Sequence, residues 1–274
     1  MSLFRANPVL GREVGVRLRL SRYSKVNKIA IFGTLFGVLP IIYMLTLRLL
    51  FNRTSINAGR DFYSAWMMLI EMTAALLLPA ALTASTITSE REKQTWNALL
   101  LSRLSDGQIV LGKLVGALTP AFLLFALFFP INLVAASVAE IPASTFIAGH
   151  AVLLVSALLS ACIGLFCSWA FRRTQIALVL TVLSLLVVML GAPLLYVLAT
   201  MTTPSTVHTE DFFPYWFNPH YVIYRLAENP DNLAQKENIP ATTIAYLVSA
   251  TIASLMMLFT VTKRLKLGPE ELNH

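Results

Sequence analysis

Six stretches of this chain are free of charge over lengths that a bilayer dictates. A helix needs about 20 apolar residues to cross the hydrocarbon. Residues 29–47, 72–89, 114–139, 174–207 and 239–262 contain no Asp, Glu, Lys or Arg, and 141–171 are interrupted only by His150. Charged residues make up 13% of the chain, against about 25% in soluble domains. So much apolar surface does not fit inside one water-soluble core. The expected fold is all-α and integral to the membrane, with six transmembrane helices at 29–51, 62–88, 107–139, 142–171, 174–200 and 239–262. The second span, starting near Phe62, carries Glu71 inside it.

Basic residues set the orientation. Six spans put both termini on one side, and 16 of the 21 Lys and Arg fall there: seven in 1–28, four in 89–113, then Arg172, Arg173, Lys263, Arg264 and Lys266. The other side keeps Arg48, Arg53, Arg60, Arg225 and Lys236. The positive-inside rule then predicts a multi-pass protein of the cell (cytoplasmic) membrane with both termini in the cytoplasm. The net charge of +7 reports topology and anionic lipid. Nucleic acid is not an expected partner, because the basic residues are spread over four separate segments. Residues 1–28 are polar and basic for too long to read as a cleavable signal peptide.

Within 1–28, Asn7-Pro8 reads as an N-cap and first helical position. Arg12, Arg19 and Arg22 then share one helical face, and Leu10, Val14 and Leu18 another. Val14–Leu20 also alternates with period two, which a strand would do. An amphipathic helix lying in the headgroup layer is the expectation, since a strand would lack a sheet. The tail, 263–274, returns to the same side.

Between spans two and three lies a polar island, 89–113, holding seven of the 35 charged residues. Ser89 precedes Glu92 by three residues, and Ser105 precedes Gln108 by three. Each pair predicts a capping box, the Ser hydroxyl and the Glu or Gln side chain exchanging bonds with a helix start. The expectation is a short, rigid, capped helix over 89–105, a turn at Asp106-Gly107, and then the third span. The far segment 201–238 is long and contains FFPYWFNPHYVIY, residues 212–224, in which seven of thirteen residues are aromatic. Tyr and Trp favour membrane interfaces. One or two short interfacial helices are expected there; a soluble loop with an aromatic cluster is the alternative.

Candidate chemistry is sparse. Gly107 to Gly112-Lys113 fits the opening of a phosphate-binding loop, but Leu114 stands where Ser or Thr should hold magnesium, and no strand precedes it. Glu71 lies at membrane depth, either as a functional group or paired with Arg48 or Arg60. His150 is expected to pack rather than ligate. Cys162 and Cys167, five apart, fall on different helical faces and predict neither a disulfide nor a metal site. No nucleophile–base pair or metal-ligand pattern of an intramembrane protease occurs. No catalytic, cofactor-binding or metal-binding residue is expected in this chain.

The island resembles that of ABC-2 type permeases, the membrane subunits of ABC transporters with the type V, ABCG-like arrangement. The likeness rests on Ser89-Glu-Arg-Glu-Lys-Gln-Thr95, on Leu99-Leu-Leu-Ser-Arg-Leu-Ser105 and on Ile109-Val-Leu-Gly-Lys113. It extends to the N-terminal Asn7-Pro-Val-Leu-Gly-Arg-Glu13. Gln94 departs from the family's usual Gly, Trp96-Asn97 from an apolar–Glu pair, and Arg103 from a small residue. The resemblance implies an exporter subunit that pairs with a second copy or a homologous permease. Two separate ABC ATPase subunits would carry ATP and Mg, with no cofactor in this chain. It implies that 89–105 is a coupling helix seated on the ATPase through Glu90, Arg91, Glu92, Lys93 and Arg103, with Trp96, Leu99 and Leu100 as its apolar face. A different class remains open: a non-transporting membrane anchor that uses the island to dock a soluble partner.

Overall fold

Long apolar helices dominate the structure, a computed structural model that describes Val9, Gly11, Tyr63 and residues 66–101, 104–202, 212–228 and 239–265. The expected first span, nearly all of the N-terminal helix, Arg103, Arg48, Arg60 and most of the tail lie outside the described residues. Among the described residues there is no strand. A π-helix, Trp66–Glu71, runs directly into α1 (Met72–Ala84). The short helices α2 (Thr88–Glu92) and α3 (Trp96–Leu100) follow. Then come α4 (Asp106–Val138), α5 (Ala143–Ala170) and α6 (Thr174–Thr202). A 3-10 turn at Phe213–Phe217 leads to α7 (Pro219–Glu228), and α8 (Ala241–Lys263) closes the set.

Five helices, α4, α5, α6, α8 and the stretch from Met72 to Glu92, are long and apolar enough to cross a membrane. This is the pattern of a multi-pass membrane protein. The outward faces agree. Val179, Leu183, Val187, Leu190 and Leu194 of α6 are exposed, as are Ile244, Val248, Ile252, Met256 and Phe259 of α8. In water such continuous apolar surface drives association; in lipid it is the solvated face.

The central helix is α5, which packs against α1, α8, α6, α4 and α7. Lipid is as apolar as leucine, so helices in it associate by close packing and interhelical hydrogen bonds rather than by the hydrophobic effect. Small residues make the α1–α5 crossing: Ala75, Ala80 and Ala84 face Ala157, Ala161 and Gly164, all but Gly164 being at most 1% exposed. A Cβ placed on Gly164 would strike Thr83 Oγ1 and the Ala80 carbonyl oxygen.

Prolines inside these helices free carbonyls four residues back, and two are taken up by side chains from elsewhere in the chain. Pro79 cannot bond Ala75, and the Ala75 carbonyl accepts from Ser160 Oγ of α5 at 2.9 Å. Pro193 cannot bond Met189, and the Met189 carbonyl accepts from Asn218 Nδ2 at 2.8 Å. Asn218 also caps α7: its Oδ1 accepts from the N–H groups of His220 and Tyr221. One asparagine therefore pins the aromatic segment to the proline turn of α6. Around that join the Phe212 ring meets those of Tyr196 and Tyr215 edge-on, and Tyr196 and Tyr215 meet at a tilt.

The island differs from the expected capped helix over 89–105. It is two short helices, not one. No capping box forms at Ser89, because α2 begins one residue earlier, at Thr88. Ser168 Oγ of α5 accepts from the N–H groups of Ile87 and Thr88 at 2.9 and 3.1 Å, so the orphan donors at this helix start are already met. The second box does form: Ser105 Oγ accepts from Gln108 N–H, and Gln108 Oε1 from Ser105 N–H. Asp106 and Gly107 are not a turn but the first residues of α4.

Candidate functional site

Four of the island's seven charged residues, Glu90, Arg91, Glu92 and Lys113, bond across to other elements. Its turn between α2 and α3 is a Schellman motif: Thr95 N–H bonds the Glu90 carbonyl at 2.9 Å and Gln94 N–H that of Arg91 at 3.0 Å. Gln94 there has φ 58°, the left-handed conformation that glycine adopts without a Cβ penalty. The place where this chain departs from the resembled family's Gly is thus, among the described residues of the island, the one non-glycine residue in the conformation that glycine favours.

Glu90 and Lys113 form a buried ion pair. Lys113, 1% exposed, sits seven residues inside α4, roughly 10 Å along its axis. Its Nζ donates to Glu90 Oε1 at 2.9 Å and to the Thr86 carbonyl at 3.1 Å. An ammonium at that depth requires a counter-charge, and the acid comes from α2. The lysine of the apparent phosphate-loop pattern is therefore turned inward and engaged.

Arg91 and Glu92 serve the two helix ends that flank the Phe171–Arg173 link. Arg91 Nη1 donates to the carbonyls of Trp169 (2.8 Å) and Phe171 (3.4 Å), at the C-terminus of α5. Glu92 Oε1 accepts from Thr174 N–H (2.8 Å), at the N-terminus of α6. A cation at a helix C-terminus and an anion at an N-terminus both complement the helix dipole. The Thr174 N–H, and then its hydroxyl, hold the exposed Glu92 carboxyl below its usual range. Thr174 Oγ1 also lies within hydrogen-bond distance of Thr88 Oγ1, at 3.0 Å.

Beneath the charges lies an apolar seat. Trp96 is 7% exposed and packs in a cluster with Ile87, Ile109, Val110, Leu165, Trp169, Val261 and Leu265, with Leu99 and Leu100 against its edge. The Arg91 guanidinium lies 5.6 Å from the Trp96 ring centroid, a cation–π contact. Trp169 Nε1 donates to the Arg264 carbonyl at the end of α8. What remains outward is Glu92, Lys93, Gln94, Thr95, Asn97 and Leu101. Leu101 is 86% exposed, the most exposed large apolar side chain among the described residues.

The candidate residues thus divide. Glu90 and Arg91 face the bundle, Trp96 is buried, and Leu99 and Leu100 are half-buried. Glu92 and Lys93 are exposed, and Arg103 lies outside the described residues. Lys113 stood in two sequence motifs, neither of which gave it this pairing, and Ser168 and Thr174 enter the site unannounced by any motif. The depth of Lys113 was the available signal for it; the serine and threonine come from distant spans and give none.

Glu71 belongs to a separate place near the opposite end of the bundle. Its donors are Trp66 Nε1 and Asn132 Nδ2; the expected partners Arg48 and Arg60 lie outside the described residues. His150 packs between Phe129 and Phe146, its Nδ1 against the Phe146 carbonyl. Both cysteines are free and buried. No family model matches the chain, and no curated protein sequence matches it.

Proposed function

We propose that this chain is the permease subunit of an ATP-binding cassette exporter, driven by two separate ATPase subunits that bear on residues 89–105. In this reading the island lies in the cytoplasm, the protein sits in the cell membrane, and a second permease completes the pathway. The observation that carries the reading is the way the island is held. Ion pair, helix caps and the Trp96 seat tie it to α4, α5, α6 and α8 at once. A push on such a body moves several spans together, whereas a push on a solvated loop is absorbed by the loop. Lys93, Gln94, Asn97 and Leu101 remain for the partner, one charge and two amides beside an exposed leucine.

The test uses the complex purified from its native membrane with ATPase activity as the readout. Lys93→Glu with Leu101→Asp is expected to abolish co-purification of ATPase activity without changing the thermal unfolding of the permease. Undiminished co-purification and undiminished ATP turnover would remove the coupling role from this surface. Binding lost in the variant, in a complex whose ATP turnover moves no cargo, would favour the anchor.

A further inference from the structure

Near the end of the bundle opposite the island, one carboxylate oxygen is satisfied twice and the other not at all. Trp66 Nε1 (2.8 Å) and Asn132 Nδ2 (2.7 Å) both donate to Glu71 Oε1. Glu71 Oε2, Asn132 Oδ1 and the Tyr63 hydroxyl have no hydrogen-bond partner. Glu71 and Asn132 are 1% exposed and Tyr63 is 3% exposed. Asn132 lies six residues from the end of α4, roughly 9 Å along the axis, and the group is enclosed by the apolar helices.

The backbone is shaped to make this arrangement. Side chains five apart on an α-helix point about 140° away from one another. Trp66 and Glu71 are five apart, and they meet because the segment joining them is a π-helix, which closes i→i+5. Such turns are rare and concentrate at functional sites.

Two N–H donors suit an ionised carboxylate, but neither brings charge. Among the described residues no cationic side chain bonds to Glu71. Titratable groups on the elements around it include Tyr63, His150 on α5, and His220, Tyr221, Tyr224 and Arg225 on α7, which packs against the π-helix, while Asp106 and Lys113 of α4 lie at that helix's other end. None is hydrogen-bonded to Glu71. An anion in such surroundings is costly until a positive charge joins it. Oxygen acceptors suit a hard cation, and a single negative charge suits a monovalent one.

We propose that Glu71 Oε2, Asn132 Oδ1 and the Tyr63 hydroxyl hold a small monovalent cation, an alkali ion or a proton, in the half of the membrane away from the island. The site is independent of how the chain is driven, and its test does not require an ATPase. The full-length protein in nanodiscs would be unfolded thermally in NaCl, KCl and choline chloride at equal ionic strength, and across a pH series. Wild type is compared with Glu71→Gln, which keeps shape and removes charge. Stabilisation by sodium or potassium but not choline, lost in Glu71→Gln, identifies an alkali ion. A pH response without a salt response, lost in Glu71→Gln, identifies a proton. Equal responses of both proteins to salt and to pH overturn the proposal and leave the place to an ordinary buried water. Should Glu71→Gln fail to fold, Tyr63→Phe decides. It removes one oxygen and keeps the ring, and the half-effect cation or proton concentration is expected to rise about tenfold. An unchanged midpoint overturns the site.

Discussion

Lys113 shows how one residue can mislead in sequence and instruct in structure. Its place after Gly112 suggested a phosphate loop, yet its ammonium is spent on Glu90 and the Thr86 carbonyl. Breaking a buried pair leaves an uncompensated charge, at a cost of about 3–5 kcal/mol, whereas replacing both partners with apolar groups is often neutral. Lys113→Met should therefore destabilise by about that amount, and Lys113→Met with Glu90→Leu should recover most of it. Denaturant titration in detergent reads both, and additive losses would show that the two side chains do not act as a pair. Gln94 is strained in the other sense. Its left-handed backbone costs an L-residue roughly 1–2 kcal/mol, so Gln94→Gly should stabilise the protein by about 1 kcal/mol, read as a higher unfolding midpoint. Glu92 adds a pH dependence. Its carboxyl is held below the ordinary range by Thr174, so the native state binds fewer protons there than the unfolded chain. The stability it lends is present above the unfolded value of about 4.3 and lost as pH falls through the lower folded value. The difference in unfolding temperature between wild type and Glu92→Gln should stay constant above about 4.3 and shrink as pH falls from there through the lower folded value.

At the scale of helices, the long spans were legible and their joints were not. The ends of α4, α5, α6 and α8 lie within two residues of the sequence-based spans, because a charge-free run bounded by charge or proline has few other ways to satisfy its backbone in lipid. The Ser105 cap was legible for a similar reason: its partners are three residues apart. The Ser89 cap failed because its competitor, Ser168, is distant in sequence and invisible to any local pattern. The same holds for the prolines. Pro79 and Pro193 announce a missing bond, but only the fold shows Ser160 and Asn218 supplying it. Interhelical bonds of this kind are worth about 0.6 kcal/mol on average and up to about 1.7. Ser160→Ala should therefore cost about 1 kcal/mol. Asn218→Leu should cost more, since it also removes the cap of α7. Thermal unfolding of the two variants gives the comparison; an equal loss in both would mean that the α7 cap contributes nothing.

Among the described residues two buried polar clusters lie toward opposite ends of the long helices, and α1 and α4 connect them. At one end they carry Glu90, through α2, and Lys113; at the other, Glu71 and Asn132. The composition foretold the apolar helices and the charge pattern located the island, while the far cluster rests on three residues whose partnership only the packing reveals. If the island is one body with the span ends, loosening it at a single bond should be felt wherever that body extends and nowhere else. Glu90→Gln keeps the shape of the side chain but leaves Lys113 without its counter-charge, so the first two turns of α4 lose their anchor to α2. Amide hydrogen exchange should then rise at the start of α4, and at the ends of α5 and α8 that share the Trp96 and Trp169 cluster. The α7 segment is held by Asn218 and the α6 carbonyls, with no bond to the island among the described residues, and its exchange should be unchanged. Faster exchange confined to α2 and α3 would mean the island is a hinged flap, and a hinged flap delivers no displacement to the spans. Faster exchange at both ends of the molecule would mean that the two clusters are rigidly joined through α1 and α4, and that a push at the island also reaches Glu71.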